Sequence, residues 1–121
     1  MKKILIIDDD EEFSFELGEL LKEENYTVDI TNEVEKGLEI LTKKVYEVVL
    51  LDYKMPKLNG IEFLKEIKKI AISTKFILIT GSLNIDKLIE TENVNDLVIC
   101  VIKKPFEVSD LLMKIRSCEL R

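Results

Sequence analysis

Six side chains stand out by type and position: Asp8, Asp9 and Asp10 in a row, then Asp52, Thr80 and Lys104. Each closely follows a short apolar run, respectively Ile4-Leu5-Ile6-Ile7, Val48-Val49-Leu50-Leu51, Phe76-Ile77-Leu78-Ile79 and the run ending at Ile102. Clustered carboxylates repel one another, and the repulsion grows in a low-dielectric cleft. A hard cation with oxygen ligands relieves it. Magnesium suits such a site, because it keeps several waters and takes only a few carboxylates together with phosphate oxygens. The same cation would screen an incoming phosphoryl group from a carboxylate nucleophile, which can hold that group covalently. An ammonium and a hydroxyl can then bind oxygens that carry charge in the transition state. Taken singly, each residue has a plainer reading: Asp52 serves equally well as a turn former, adjacent aspartates as solvated caps, and Lys104-Pro105 as a turn. The weight lies in their joint position.

Those positions must be supplied by regular elements. Short, fully apolar runs bounded by turn residues read as strands buried on both faces. Lys3–Ile7, Val48–Leu51, Lys75–Ile79 and Asp96–Ile102 are four of these, and the alternating Thr27-Val28-Asp29-Ile30-Thr31 is a fifth strand nearer an edge. Helical spacing follows each. Phe13, Leu17, Leu20 and Leu21 share one face, with acidic residues suited to the helix start and Asn25 closing the helix. Asn32 is an N-cap candidate with Glu35 three residues on, ahead of Val34, Leu38 and Leu41. Asn59 and Glu62 repeat that spacing before Ile61, Leu64, Ile67 and Ala71. Residues 83–92 are weakly helical, with Ile85, Leu88 and Ile89 on one face and asparagines nearby that oppose helix. Val108, Leu111, Leu112 and Ile115 form the last stripe. Strand and helix alternate five times, which predicts a parallel sheet with helices on both faces. Parallel strands end on one sheet edge, where open α/β sheets bind ligands. The six side chains therefore converge if strands one, three, four and five lie together.

Composition narrows the chemistry further. A chain of 121 residues with 46% apolar content suits one domain, spanning 1–121, with a single core. Its net charge of −6 argues against a basic nucleic-acid surface. No apolar run approaches the roughly 18 residues of a membrane span, and the run after Lys2-Lys3 ends too soon in aspartates for a secretory signal. The two cysteines, Cys100 and Cys118, have no metal-ligand spacing. Cys100 reads as a small core residue and Cys118 as a late helix residue, neither catalytic, in a reducing cytoplasmic compartment. There is no histidine, so the chain has no phosphohistidine chemistry of its own.

Ile4-Leu5-Ile6-Ile7-Asp8-Asp9-Asp10, Leu51-Asp52-Tyr53-Lys54-Met55-Pro56-Lys57-Leu58-Asn59-Gly60, Ile79-Thr80-Gly81 and Lys104-Pro105-Phe106 together resemble the receiver domain of two-component response regulators. The likeness covers essentially the whole chain in order. It implies a flavodoxin-like (βα)5 three-layer sandwich with a parallel five-stranded sheet in order 2-1-3-4-5. It implies Asp52 as phosphoacceptor, Thr80 as switch hydroxyl and Lys104 as the family lysine, preceding a proline that is usually cis. Asp8 and Asp9 would form the acidic pair, with Asp9 the direct ligand of Mg2+ (or Mn2+) alongside Asp52 and the Lys54 main-chain carbonyl. Gly81 would leave the site open, and Lys54 and Ser82 would occupy the positions that tune phosphoryl lifetime. The implied partners are a sensor histidine kinase or phosphotransfer protein and a downstream output domain or protein. A homodimer through the helix 4–strand 5–helix 5 face is one form of output. The domain would catalyse only its own phosphorylation and dephosphorylation, and would touch neither nucleic acid nor membrane.

Three features depart from the family pattern. Val101 stands three residues before the lysine, where a Tyr or Phe is usual. Asn93-Val94-Asn95-Asp96 stands near the place of the usual Gly-Ala before strand five, and the Thr80-to-Lys104 interval is longer than usual. These leave the phosphorylation chemistry intact and bear on how it is read out. They motivate a second reading, a constitutive interaction module with the same fold and no phosphorylation-driven output. A third, an aspartate-nucleophile phosphatase of the haloacid dehalogenase type, wants Asp-x-Asp-x-Thr after the first strand, and Asp8-Asp9-Asp10-Glu11-Glu12 lacks the threonine. Nucleotide binding lacks both the G-x-G-x-x-G and the Walker lysine motifs. The chain stops soon after the fifth helix, which suits either a standalone receiver or a piece of a larger regulator or hybrid kinase.

Overall fold

The computed structural model describes residues 2–70, 72–82 and 84–119, excluding the side chains of Cys118 and Glu119. Ala71, Leu83 and the Cys118 side chain, all assigned above to helices, thus lie outside the described residues. Strands and helices alternate throughout: β1 (Lys3–Ile7), α1 (Glu11–Glu23), β2 (Thr27–Thr31), α2 (Val34–Lys43), β3 (Val48–Asp52), α3 (Gly60–Ile70), β4 (Lys75–Thr80), α4 (Ile85–Thr91), β5 (Val98–Lys103) and α5 (Val108–Glu119). The five strands form one parallel sheet in order β2-β1-β3-β4-β5. This is the flavodoxin-like order expected.

Because side chains alternate along a strand, the uninterrupted apolar runs feed two cores, one on each face of the sheet, rather than the single core expected. Leu5, Ile7, Val49, Leu51, Phe76 and Leu78 pack with residues of α2, α3 and α4. Ile4, Ile6, Val48, Leu50, Ile77 and Ile79 pack with Leu17 and Leu21 of α1 and Leu111 and Ile115 of α5. In the first core Phe63 and Phe76 meet edge to face at 6.3 Å between centroids, an arrangement favoured by the ring quadrupoles.

Several local expectations change. Leu20 does not share the buried face of α1: it is exposed, and the buried set is Ser14, Leu17, Gly18 and Leu21. The small residues let α1 lie close on β2, where a Cβ on Gly18 would stand 2.8 Å from Ile30 Cδ1. Asn32 does not cap α2. The cap is Glu33, without a side-chain hydrogen bond, while the Asn32 amide donates elsewhere, to the Asp8 carbonyl and the Ser14 hydroxyl. At α3 the expected reciprocal cap is present: Asn59 N–H donates to Glu62 Oε1 at 2.8 Å, and Glu62 N–H to Asn59 Oδ1 at 2.9 Å. β5 begins at Val98 rather than Asp96, because Val94–Leu97 is a turn closed by Leu97 N–H on the Val94 carbonyl. It is also an edge strand, so its residues are mostly half-buried.

The pairing of β4 with β5 slips by one residue. Phe76 faces Val98, and Ile77 faces Cys100, so Ile99 is the extra residue of a bulge. Ile99 and Cys100 consequently both lie toward the α1/α5 core, and Val101 toward the other. A one-residue slip exchanges the faces of all later side chains. This bulge therefore decides where Val101, Lys103 and Lys104 point.

Candidate functional site

Four strand ends build the site. β3 ends in Asp52, a residue 5% exposed, and β1 is followed at once by Asp8, 2% exposed. Asp9 is exposed beside them. One carboxylate oxygen from each of Asp8, Asp9 and Asp52 lies within 4.8 Å of the other two. The third aspartate of the run does different work. Asp10 is the N-cap of α1, its Oδ1 accepting from Phe13 N–H at 2.9 Å, while its own N–H donates to Asp8 Oδ1 at 2.9 Å. The plain reading holds for Asp10, while its two predecessors cluster with Asp52.

Lys104 reaches Asp52 from the far edge of the sheet. Its Nζ lies 3.1 Å from Asp52 Oδ1, with the lysine side chain 40% exposed and the aspartate's 7%. The backbone fixes its starting point: Lys104 N–H donates to the Thr80 carbonyl at 2.8 Å, and the Lys104–Pro105 peptide is cis. Along its path the ammonium stands 5.4 Å from the centre of the Phe13 ring, which itself meets Phe106 edge to face at 6.1 Å. Phe13 therefore guides the lysine, a role its place in a helical stripe did not announce.

Thr80 is buried at the end of β4, one residue beyond the partner of Asp52. Its hydroxyl oxygen accepts from Ser82 N–H at 2.9 Å, which leaves the hydroxyl proton to be donated. A Cβ on Gly81 would meet nothing within 4 Å, so the surface beside Thr80 is open, as expected. Lys54 lies in the exposed loop after Asp52. That loop is held at both ends, by Tyr53 N–H on the Ile79 carbonyl at 2.9 Å and by Gly60 N–H on the Tyr53 carbonyl at 2.7 Å. Gly60 fits closely there: a Cβ would stand 3.1 Å from Tyr53 Cα and 2.8 Å from Leu78 Cδ1.

The electrostatics follow from the burial. Burial raises Asp8 from 3.8 to about 6; the Asp10 N–H opposes this, and the nearby charge of Asp52 adds to it. Burial likewise raises Asp52, and the hydrogen bond and charge of Lys104 pull it back. Two buried carboxylates and an exposed one thus share a cleft with one ammonium. The donor set is all oxygen and carries excess negative charge, which fits a hard divalent cation.

The family profile described as response regulator receiver domain matches residues 4–116. The chain belongs to this family. Among relatives of this receiver domain, the transcriptional regulatory protein CpxR homolog of Haemophilus influenzae is 39% identical over 119 residues, which are 97% of this chain and 50% of that protein. The chain spans about half the length of the curated relatives it matches. Among solved structures, a response regulator receiver domain protein from Clostridium thermocellum superposes with a TM-score of 0.85 at 32% identity, covering 98% of this chain and 94% of that one. The response regulator protein TrrA from Thermotoga maritima, solved in complex with Mg(2+)-BeF, gives 0.82 at 29% identity, covering 98% and 99%. Among the described residues, no helix is long and apolar enough to cross a membrane.

Proposed function

We propose that Asp52 is the phosphoacceptor of this receiver domain. The observation that carries the reading is one buried carboxylate at a strand end with an ammonium at 3.1 Å on one side and the carboxylates of Asp8 and Asp9 within 4.8 Å on the other. A carboxylate oxygen of Asp52 attacks the phosphorus of a partner phosphohistidine. A P–O bond forms, the P–N bond breaks, and the released imidazole nitrogen takes up a proton. Asp8, Asp9, Asp52 and the Lys54 carbonyl would hold Mg2+ or Mn2+, which when bound neutralises charge on the acidic cluster and the phosphoryl oxygens. Lys104 and the Thr80 hydroxyl donate to those oxygens. The 121 residues hold no histidine, so the phosphohistidine that supplies the phosphoryl lies outside them, on a sensor kinase or phosphotransfer protein. Its own phosphorylation and dephosphorylation are the only reactions it catalyses.

The added charge draws Thr80 inward and alters the α4–β5–α5 side, which contacts an output domain or a second copy. That relatives twice this length are transcriptional regulators supports an output domain as partner. The assembly works in the cytoplasm. Incubation with acetyl phosphate and magnesium adds one phosphoryl mass, and Asp52→Asn abolishes the addition; labelling that persists in the variant overturns the assignment.

The constitutive-module reading is favoured by one feature. Val101, half-buried on β5, offers no ring to follow Thr80, and Lys114 Nζ donates to its carbonyl at 3.1 Å. Partner binding measured with and without beryllofluoride separates the two. Identical binding in both states, with phosphorylation proven, establishes the module.

A further inference from the structure

We propose that Asn32, on the loop after the edge strand β2, is a positioning residue for the cation site. The inference rests on the reading of Asp8 and Asp9 given above. The Asn32 side-chain amide donates to the Asp8 carbonyl at 2.7 Å and to Ser14 Oγ at 3.0 Å. Both amide hydrogens are thereby used. Ser14 is 1% exposed, and its hydroxyl proton is committed to the helix: Oγ lies 2.9 Å from the Asp10 carbonyl and 3.1 Å from that of Glu11. Both neighbours of Asn32 therefore accept, and position 32 must supply two donors.

The Asp8 carbonyl belongs to the peptide that joins Asp8 to Asp9. Fixing that carbonyl fixes the plane from which the two carboxylates of the cluster depart. The peptides on either side are held by Asp8 N–H, which donates to the Thr31 carbonyl at 3.2 Å, and by Asp10 N–H, which donates to the Asp8 side chain; Asn32 holds the carbonyl between them. Without the amide, mutual repulsion of Asp8, Asp9 and Asp52 is free to turn the peptide and spread the oxygens that lie within 4.8 Å. Ser14 carries the same restraint into the first turn of α1. The arrangement resembles the way outer hydrogen bonds orient ligating side chains at metal sites, whose loss costs about 10–100-fold in affinity.

Magnesium binding by the intact chain, measured by titration calorimetry below the unfolding range of each variant, tests this. Asn32→Ala should weaken magnesium about 10-fold. Ser14→Ala should weaken it less, and the double variant should bind no worse than Asn32→Ala alone, since both act through one restraint. Phe63→Leu, in the core that packs against α2, α3 and α4, lowers stability without removing a hydrogen bond of the loop and should leave the dissociation constant unchanged. Manganese bound to Asn32→Ala should give an electron paramagnetic resonance spectrum altered from wild type. Wild-type affinity and spectrum in Asn32→Ala overturn the proposal. An equal loss in Phe63→Leu also overturns it, by showing that stability alone sets affinity. A wild-type chain that binds no magnesium overturns both this and the site reading, and is thereby distinguished from failure of the Asn32 role alone.

Discussion

Lys103 and Lys104 are neighbours in the chain, and each reaches an aspartate, yet the two contacts belong to different regions of the molecule. Lys104 Nζ stands 3.1 Å from Asp52, whose side chain is 7% exposed. Lys103 Nζ stands 3.5 Å from Asp86 on α4, whose side chain is 71% exposed. Strand alternation, reset by the bulge at Ile99, sends one lysine to the ligand edge and the other to the α4 side. At the edge the Asp52 carboxylate is withdrawn from water, so the ammonium lowers the proton affinity that burial raises. On the α4 side solvent screens the pair, which leaves it a weak tether. Similar pairs thus do different work because of the burial of one partner.

The largest expected effect separates the two lysines directly. Lys104→Ala should slow phosphorylation of Asp52 by about 100-fold, the usual consequence of losing one donor to developing charge. Lys103→Ala should change it less than about 2-fold, by the additivity expected of a side chain outside the site. Mass spectrometric time courses with acetyl phosphate check both. Lys104→Ala should also let Asp52 rise further toward protonation, visible as a higher midpoint in a carboxyl-carbon NMR titration.

Asp8 sharpens the contrast from the other direction. Its pKa of about 6 in the folded protein exceeds the ordinary 3.8. Folding therefore takes up a proton between about pH 4 and pH 6, and the stability of the cation-free protein falls as pH rises through that window. The raised Asp52 acts with the same sign. Asp8→Asn should stabilise the protein in chelator at pH 7 by on the order of 2–3 kcal/mol and flatten this pH dependence. Urea unfolding at several pH values measures it. The same variant should gain less stability from added magnesium than wild type gains, since binding to the native state supplies that gain.

Gly60→Ala tests how closely the edge is built. Its new Cβ must displace Leu78 or the Tyr53 backbone, at a cost of about 1–3 kcal/mol in unfolding free energy. Because the displaced strand end carries Asp52, phosphorylation should slow as well. The smallest effect belongs to the exposed pair: removing Asp86 or Lys103 should cost about 0.2–1 kcal/mol, and less in high salt. A loss comparable to that of Gly60→Ala would break the distinction between the two regions.

The strand–helix alternation was legible because apolar runs of strand length and helical stripes are local signals. The edge that gathers Asp8, Asp9, Asp52 and Lys104 was legible because its residues sit immediately after those runs, and the Asn59–Glu62 cap because it spans three positions. What escaped is what depends on distant neighbours. Leu20 matches the helical period, but the face of α1 is chosen by how near β2 can come, which Ser14 and Gly18 decide. Asn32 has the spacing of a cap, but its amide is taken by Asp8 and Ser14, 24 and 18 residues away. The start of β5 and the bulge at Ile99 arise from pairing with β4, which a continuous apolar run does not encode. Phe13 looks like any core aromatic until the ammonium of Lys104 is placed beside it.

The identity of the acceptor is the claim on which the rest depends. Borohydride reduction marks an acyl phosphate at the residue that carries it, and peptide mapping then locates the mark. After treatment with acetyl phosphate and magnesium, the mark should fall on Asp52 alone and should require magnesium. A mark on Asp8, Asp9 or Asp10, or equal marking in chelator, would contradict the account.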